Sequence, residues 1–369
     1  MPPTTANETP SDVIARSIAA IAPLDADADA RADARQGTLT KPPGSLGRLE
    51  TLATTIAGIT GSDRPRLDDR LLIVAAGDHG VEAQGVSAYP QSVTAQMVAN
   101  FVSGGAAANV LADHAGARVR VVDAAVVDET PDVDGLLRLR LAAGSDDITQ
   151  GPAMTRELAE RAIAAGIALF EAERAGEGVD IVGCGEMGIA NSTPAAAIVA
   201  AVTGRPPRAV TGRGTGIDDE RYETKVRAIK RALEVNRPDS SDGIGLLASI
   251  GGFEIGVLAG VYLAAAASRT PAVVDGLISG AAALVATAIE PGVGPYLIAS
   301  HLSVEPGHAA TLEQLGLKPM FDLGLRLGEG SGAALGITLC VAACRLLDEM
   351  ATFGEAGVDD SDDVIAPEA

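Results

Sequence analysis

The sequence of 369 residues contains no tryptophan, and aromatic residues make up only 2% of it. Hydrophobic residues nevertheless make up 47%. The core must therefore be filled by Ala, Val, Leu and Ile and by closely packed Gly, because interiors are close-packed. A chain of this length can form one large α/β domain, or a large domain with a smaller satellite.

Basic residues are scarce, since 28 Lys and Arg stand against 49 Asp and Glu and give a formal net charge of −21. This charge argues against nucleic acid or an anionic membrane surface as the main partner. No uncharged apolar run reaches the roughly 18 to 20 residues of a membrane span. The N-terminus has no basic region followed by an apolar one, so no signal peptide and no membrane partner are expected.

Cysteine is also rare. The three cysteines form no CxxC pair, and an odd number argues against a disulfide framework, which indicates a cytoplasmic protein. His79, His301 and His308 are too scattered for a zinc motif, so we expect neither a metal nor another cofactor. The cysteines are Cys184, Cys340 and Cys344.

From about residue 69, short apolar runs alternate with longer helical patterns. Strands without polar alternation, separated by helices, are typical of a mostly parallel sheet covered on both faces, so the predicted class is α/β and Rossmann-like. The predicted strands are 71–77, 119–126, 179–186, 271–276 and 296–301. The predicted helices are 91–113, 153–174, 193–202, 218–235, 252–267, 278–289 and 331–350.

The two ends of the chain have a different character. Residues 1–11 are polar and rich in Pro and Thr, and residues 355–369 carry six acids and no base. We expect both to be disordered tails. Two short amphipathic helices are predicted after the first tail, followed by the Pro- and Gly-containing loop TKPPGSLGRLE at 40–50.

Polar residues and glycines cluster directly after the predicted strands. Ligands of parallel α/β sheets bind outside the carboxyl ends of the strands, so these loops predict a single site. The loops are DHGVEAQGVSAYPQS, GEMGIANSTPAA, GLISG, SHLSVEPGH and RLGEGSGAALG.

Three glycine-rich segments with hydroxyl residues, at 185–194, 211–220 and 326–334, are typical of helix starts that bind phosphate. Each alone could equally be an ordinary turn or cap; together they favour a phosphorylated ligand. None is a Walker A loop or a clean GxGxxG after the first strand. The segment AVVDGLISG has one Asp, not the acidic pair of enzymes that bind phosphoribosyl pyrophosphate through magnesium, so a monophosphate fits better.

Glu186 and Glu329 each follow an apolar segment, and a glycine comes soon after each of them, at 188 and 330. Partial burial would raise the pKa of such a carboxylate and make it a usable base. The alternative for each is a solvated glutamate at a helix start, and for Glu329 the sequence does not decide between the two. Lys225 is either a solvated helix residue or a contact to phosphate or carboxylate.

Several segments, read in order from about residue 40 to 345, resemble the nicotinate-nucleotide:dimethylbenzimidazole phosphoribosyltransferase family. They are TKPPGSLGRLE, the long segment 75–112, GEMGIANSTPAAA, GRGTGIDDE, GGFEIGVLAG, SHLSVEPGH and RLGEGSGAALG. The resemblance implies transfer of 5-phosphoribose from nicotinate mononucleotide to 5,6-dimethylbenzimidazole, giving α-ribazole 5′-phosphate and nicotinate with inversion at C1′. The family acts in cobalamin biosynthesis.

The resemblance also implies an architecture. A large α/β catalytic domain is expected at 69–330, and a small helical domain is expected from 12–68 together with about 331–354. The family is homodimeric, so a homodimer is expected as well.

Matching the family's motifs assigns roles to residues. Glu329 would be the base that takes the N–H proton of the incoming benzimidazole, and its flanking glycines would leave room for that flat base. Glu186 and Lys225 would be polar partners near the ribose, phosphate or nicotinate, and Tyr89, Gln96 and Met187 would border the base pocket. The remaining predicted substrate-binding residues are Gly188, Gly214, Thr215, Gly216 and Ser303 for the phosphate, with Leu327 and Gly328.

Two other functions remain open from the sequence. One is a related phosphoribosyltransferase that uses another lower-ligand base, adenine or a phenol. The other is a non-catalytic nucleotide-binding protein in which Glu329 only caps a helix.

Overall fold

The computed structural model describes residues 8–214 and 216–359. Most of each predicted tail, at 1–7 and 360–369, lies outside the described residues. The tails were nonetheless predicted too long, because a helix already begins at Pro10 and another occupies Phe353–Ala356. Both helices start with a capping box, in which a Thr hydroxyl accepts from the third helical N–H and an acid three residues on accepts from the Thr N–H.

The chain divides into two compact units. The larger contains the residues up to Ala22 and Asp69–Ile337, and the smaller contains Pro23–Asp68 and the residues from Thr338 onward. This division differs from the expected one in two places. The first helix belongs to the larger unit, where Arg16 is paired with Glu171, and the second boundary falls at 337 rather than near 331.

Six parallel strands form the sheet of the larger unit, in the order β3-β2-β1-β4-β5-β6. This order has its switch point between β1 and β4, where doubly wound sheets bind ligands. The α/β, mostly parallel prediction is confirmed. The strands are β1 (Arg70–Gly77), β2 (Ala117–Ala125), β3 (Leu136–Arg138), β4 (Ile181–Met187), β5 (Ala272–Val274) and β6 (Leu297–Ala299).

Strand β3 was not predicted, because it is three residues long and only half-buried at the sheet edge, and so lacks the apolar run of the others. The predicted helix 91–113 is in fact two helices, which are separated at Gly104 and Gly105. Gly104 has a left-handed φ of 77°. The short helices at 243–250 and 306–315 were also missed.

The helices are α1 (Pro10–Ala20), α2 (Ala26–Gln36), α3 (Arg48–Thr60), α4 (Val93–Val102), α5 (Ala107–His114), α6 (Arg156–Gly176), α7 (Ser192–Thr203), α8 (Pro207–Val210), α9 (Asp219–Asn236), α10 (Gly243–Ile250), α11 (Phe253–Ala267), α12 (Leu277–Ile289), α13 (Pro306–Leu315), α14 (Ser331–Glu349) and α15 (Phe353–Ala356). Short 3₁₀ turns lie at Gly80–Gln84 and Pro291–Tyr296.

Glycine allows the aromatic-poor core to pack closely. At the contact between α6 and α11, a side chain at Gly166 would overlap the carbonyl of Val257, and one at Gly260 would overlap the carbonyl of Ile163. The two backbones therefore approach each other more closely than any larger residue would permit. Helix α11 is buried along nearly its whole length, as its uninterrupted apolar sequence requires.

The smaller unit contains α2, α3 and α15, and α14 runs into it from residue 338. Its core is made largely of alanines, with Leu347. Lys41 is buried and pairs with Glu50 over 2.9 Å, and Glu50 also accepts from the N–H of Leu46 at 2.9 Å. These bonds hold the loop at 40–50 in shape.

Helix α14 is, among the described residues, long and apolar enough to cross a membrane by length and composition. Counting uncharged runs missed it, because charged residues interrupt its last turns. More than half of the span is buried within the protein, as core helices also are, so the helix is weak evidence for a membrane span.

Candidate active site

The loops that follow β1, β4 and β5 meet at the carboxyl edge of the sheet, as the sequence predicts. A side chain at Gly188, just after β4, would overlap the carbonyl of Gly77 at the end of β1. Asp275, just after β5, accepts a hydrogen bond from the N–H of Gly330. The edge at the β1–β4 switch point is therefore the candidate site.

Glu329 lies in a turn of three consecutive residues with left-handed backbone. The φ angles are 81° at Gly328, 60° at Glu329 and 81° at Gly330. A left-handed φ is strained for a glutamate, and such strain is found mainly where the surroundings impose it at functional sites. We call residues 328–330 the GEG turn.

The side chain of Glu329 is buried, since the residue is 7% exposed, and burial raises its pKa, while a hydrogen bond from the N–H of Ala108 lowers it. Its Oε2 atom is buried and has no hydrogen-bond partner within the described part of the chain. A buried carboxylate oxygen without a donor is an uncompensated acceptor, and this group is suited to take up a proton.

The glycines on either side of Glu329 have left-handed φ angles and close neighbours where a Cβ would stand. A side chain at Gly330 would lie 2.7 Å from Leu72 Cδ1, and one at Gly328 would overlap Glu186 Oε1. On the facing strand, a side chain at Gly185 would lie 2.5 Å from the Glu329 backbone. The left-handed φ angles and these contacts both favour glycine on either side of Glu329, and room for a flat base stays a prediction.

Glu186, near the end of β4, lies against the GEG turn and is 6% exposed. Its Oε2 accepts from the side-chain amide of Asn191. Burial raises the pKa of Glu186 to about 8, and the nearby acids Asp275, Glu254 and Glu329 add to the rise. The group is therefore largely protonated at neutral pH, and its proton can be donated in a hydrogen bond.

Asp275 is 1% exposed and was noted in the sequence only as an acid without a second acid beside it. Its Oδ2 accepts from Gly330 N at 3.2 Å and its Oδ1 from Ala333 N at 2.9 Å. Burial raises its pKa to about 7, against hydrogen bonds from backbone amides that lower it.

His79 and Glu254 form a second buried polar pair at this edge. His79 Nε2 lies 3.0 Å from Glu254 Oε1, and its Nδ1 lies 3.4 Å from Ser145 Oγ. A side chain at Gly252 would overlap the imidazole, so the pair is enclosed by protein. It links the loop after β1 to the start of α11.

Lys225, on α9, is 1% exposed rather than solvated. Its Nζ donates to Ser192 Oγ at 2.8 Å and to the carbonyl of Gly212 at 3.2 Å. Burial lowers its pKa to about 8, partly offset by the charge of Glu305. An ammonium has three donors, so one remains after these two bonds.

A cleft of about 610 Å³ opens beside the loop that precedes α9. Two arginines, Arg213 and Arg326, line it together with Tyr222 and Glu305. The guanidinium of Arg213 lies 5.3 Å from the centre of the Tyr222 ring, and Arg326 donates to the carbonyl of Gly214 at 3.1 Å. Arg213 is also paired with Asp219, so the cleft contains one paired arginine, Arg326 and the carboxylate of Glu305.

The backbone amides predicted to hold a phosphate in this loop already have partners. Gly214 N donates to Glu305 Oε1 at 2.9 Å, and Gly216 N donates to the carbonyl of Arg213 at 2.9 Å. Thr215 lies outside the described residues. The glycines at 214 and 216 have φ angles of 50° and 95°, which supplies a conformational reason for them.

Ser303 is buried in the loop after β6, where its N–H donates to His308 Nδ1 at 3.0 Å and its hydroxyl accepts from Glu305 N at 3.3 Å. Burial lowers the pKa of His308 to about 3, so the ring is neutral. Ser303 therefore orients Glu305 at the wall of the cleft.

The residues predicted to border the base are less enclosed. Tyr89 is 52% exposed in the loop before α4, and Gln96 is exposed on α4. Leu327, next to the GEG turn, is 55% exposed. Met187 is half-buried and follows Glu186 at the end of β4.

Sequence reasoning gave no role in the site to Asp275, Ala108, Glu305 or the pair His79–Glu254. Asp275 could have been found, since it is a charged residue directly after a buried strand. Ala108 acts through its backbone N–H, which its side chain does not reveal. No group of three or more His, Cys, Asp or Glu in the described ranges is arranged to hold a metal ion.

The strand order, the switch point and the buried acids define a doubly wound α/β protein with its ligand site at the carboxyl edge of the sheet. The chain belongs to the phosphoribosyltransferase family, whose model, described as "Phosphoribosyltransferase", matches residues 21–358.

Its relatives are more specific. It is 57% identical over 346 residues to the nicotinate-nucleotide--dimethylbenzimidazole phosphoribosyltransferase of Roseiflexus sp. (strain RS-1), covering 94% of this chain and 98% of that one. It is 56% identical over 348 residues to the protein of the same name from Chloroflexus aggregans, covering 94% and 98%.

A solved structure is also similar. The crystal structure of the enzyme of that name from Thermus thermophilus is 46% identical and has a TM-score of 0.87, covering 92% of this chain and 100% of that one. The resemblance stated from the sequence motifs is thereby confirmed.

Proposed function

We propose that the protein transfers the 5-phosphoribosyl group of nicotinate mononucleotide to 5,6-dimethylbenzimidazole. The products are α-ribazole 5′-phosphate and nicotinate, as in cobalamin biosynthesis. The C1′–N bond to nicotinate breaks, a new bond forms from C1′ to a benzimidazole nitrogen on the opposite face, and the configuration changes from β to α. The benzimidazole N–H proton goes to the protein.

The single observation that carries this mechanism is the environment of the Glu329 carboxyl group. Its carboxyl group is buried, its pKa is raised, and one of its oxygens has no donor in the described part of the protein. Attack by the neutral benzimidazole generates a cation that must lose its N–H proton. A preorganised acceptor in a site of low polarity is what this step requires.

The leaving group requires no acid. In nicotinate mononucleotide the glycosidic nitrogen is already a pyridinium, so nicotinate departs with the bonding electrons and becomes neutral at nitrogen. A single base is therefore sufficient for proton balance, and Glu186 is free for another task. Its raised pKa leaves a proton available for a hydrogen bond to the ribose or the nicotinate carboxylate.

The phosphate is assigned to the cleft with the two arginines. Arg326 and Arg213 line the cleft and provide guanidinium donors for a phosphate, although Arg213 also pairs with Asp219. Lys225 lies buried behind the loop, where its Nζ donates to the carbonyl of Gly212. Because the N–H groups of Gly214 and Gly216 have partners, the arginines take the role first expected of the loop backbone. Gly188 and Ser303, which were also predicted to hold the phosphate, are not among the described residues that line this cleft.

The proposal includes a cytoplasmic homodimer. Three free, buried cysteines suit a reducing compartment. Light scattering on the purified protein should give twice the chain mass of 37.1 kDa. A monomer mass at micromolar concentration would contradict the dimer.

The transfer is tested by incubating purified protein with nicotinate mononucleotide and 5,6-dimethylbenzimidazole. We expect nicotinate and α-ribazole 5′-phosphate in equal amounts by chromatography, with the α configuration assigned by NMR. A parallel competition supplies dimethylbenzimidazole, adenine and phenol at equal concentration, and dimethylbenzimidazole should predominate. Absence of product with every base would contradict the proposal, and predominance of adenine or phenol would change its acceptor.

A further inference from the structure

Asp275 connects the sheet to the turn that carries the proposed base. It follows β5 directly, and its two carboxylate oxygens accept from different backbone amides, Gly330 N at 3.2 Å and Ala333 N at 2.9 Å. The backbone N–H groups of Gly332 and Gly276 also lower the pKa of Asp275. A single buried side chain thus accepts hydrogen bonds from backbone amides both before and after the start of α14.

The GEG turn needs such an anchor. Three consecutive left-handed residues include a glutamate, and strain of this kind persists only where the surroundings fix it. The turn's own bonds, from Ser331 N and Ser331 Oγ to the carbonyl of Gly328, close the turn on itself. The bond from Gly330 to Asp275 is the one that ties it to β5.

An ordinary helix cap does not account for the residue. A capping side chain satisfies amides of the first helical turn, as the bond to Ala333 does, whereas Gly330 precedes α14 and adjoins Glu329. A Ser or Asn could cap at less electrostatic cost. The chain instead keeps a carboxylate that burial makes costly to ionise, close to the acid Glu186.

We propose that Asp275 is a positioning residue for the transfer reaction, which holds the GEG turn in its left-handed conformation and so aims the Glu329 carboxylate at the acceptor base. The inference rests on the proposed function. It requires no contact between Asp275 and either substrate. The contribution of Asp275 to kcat should therefore depend entirely on the presence of the Glu329 carboxylate.

A double-mutant cycle tests this dependence, using Asp275→Asn, Glu329→Gln and the double variant in the full-length protein. Asn keeps the shape but presents an N–H₂ group to one backbone N–H. We expect Asp275→Asn to lower kcat by about 10- to 100-fold, the loss that misplacement by about 1 Å produces, with KM within about threefold of the wild type. The double variant should be within about twofold of Glu329→Gln alone.

A merely structural role predicts a different result, in which the two losses multiply. That result, or an unchanged kcat in Asp275→Asn, would overturn the inference. Asp242→Asn is the matched control, because Asp242 caps α10 through the N–H of Gly245 at 3.0 Å and pairs with Arg156, away from the site. It should leave kcat unchanged. Every variant is compared with active wild-type protein, so a wild type without activity would count against the proposed function alone.

Amide hydrogen exchange on the unmodified protein provides a test that does not depend on variant folding. Amides just before and within the first turn of a helix have no intrahelical acceptor and ordinarily exchange quickly. Bonds to Asp275 should protect Gly330 N–H and Ala333 N–H as strongly as amides in the middle of α14. Exchange of both at the rate of open loop amides would overturn the inference.

Discussion

The GEG turn at 328–330 and the loop at 212–216 look alike in the sequence, since both alternate glycine with a charged or hydroxyl residue before a long helix. In the structure they differ. The GEG turn is buried against β4, and its glutamate has an oxygen without a donor among the described residues. The 212–216 loop borders an open cleft, with the amides of Gly214 and Gly216 paired and its arginine partly exposed.

The two regions also differ in the surroundings of their glycines. In the GEG turn they allow a left-handed backbone to lie against a strand where any side chain would collide. In the 212–216 loop, a side chain at Gly212 would overlap the Glu305 carboxylate, whereas Gly216 has open space around it and only its φ of 95° favours glycine. In the proposed mechanism, the GEG turn holds the proton acceptor and the 212–216 loop presents an arginine to the phosphate. The predictions below test this contrast, from the largest expected effect to the smallest.

Glu329→Gln should have the largest effect on turnover. Gln is nearly isosteric and cannot accept the proton, so kcat should fall by about 10²- to 10⁴-fold, the usual contribution of a positioned base. Binding of nicotinate mononucleotide, measured by calorimetry, should remain within about threefold of wild type. An unchanged rate would remove Glu329 from the mechanism.

Arg326→Ala should affect binding rather than chemistry. Loss of a charge-assisted contact to phosphate costs about 1.5 to 3 kcal/mol, so KM for nicotinate mononucleotide should rise by about 10- to 100-fold with kcat little changed. Arg345→Ala is the control, because Arg345 is exposed on α14 and paired with Glu349 in the smaller unit. If kcat fell and KM did not, the cleft would not be the phosphate site.

The same glycine substitution in both regions compares them directly. Gly330→Ala introduces a methyl group 2.7 Å from Leu72 Cδ1 at a φ of 81°, so strain and overpacking together should destabilise the fold by about 2 to 4 kcal/mol. Gly216→Ala meets no atom within 4 Å and should cost about 1 kcal/mol from its φ alone. Thermal melting measures both, and equal losses would contradict the contrast.

Glu186 should make stability depend on pH. Its pKa in the folded protein, about 8, exceeds its ordinary value of 4.5, so folding favours the protonated form. Its contribution is fully present below about pH 4.5 and is lost as the pH rises through about 8. Asp275, with a pKa of about 7, acts in the same direction.

Glu186→Gln removes the ionisation of that group, so the melting temperature of the variant should fall less than that of the wild type between about pH 6 and pH 9. Glu223→Gln is the control, since Glu223 is exposed and its pKa is lowered by Arg208. Parallel pH curves for wild type and Glu186→Gln would show that Glu186 is not buried as described.

Much of the fold could be predicted from the sequence, because buried parallel strands are continuous apolar runs and the loops at their carboxyl ends collect glycine and polar residues. All the strands except β3 were found this way. Strand β3 was missed because three residues at the sheet edge carry no such signal. The first helix was grouped with the wrong unit, because an amphipathic pattern shows that a helix packs but not against what.

The site could be predicted only in part. Glu186, Lys225 and Glu329 were identified as candidates, but their burial, on which their pKa shifts depend, comes from tertiary packing. The bond of Gly214 to Glu305 joins residues that single-segment patterns cannot pair. Asp275 was visible as a charge after a strand, but its partners depend on the backbone of the GEG turn.

The central claim is that Glu329 takes the proton of the attacking base, and an acceptor without that proton tests it most directly. 1,5,6-Trimethylbenzimidazole can attack C1′ through its free nitrogen and has no N–H to lose, so its product remains a cation. With this acceptor, wild type and Glu329→Gln should transfer phosphoribose at rates within about threefold of each other, while with dimethylbenzimidazole they should differ by about 10²- to 10⁴-fold. An equal loss with both acceptors would contradict the account.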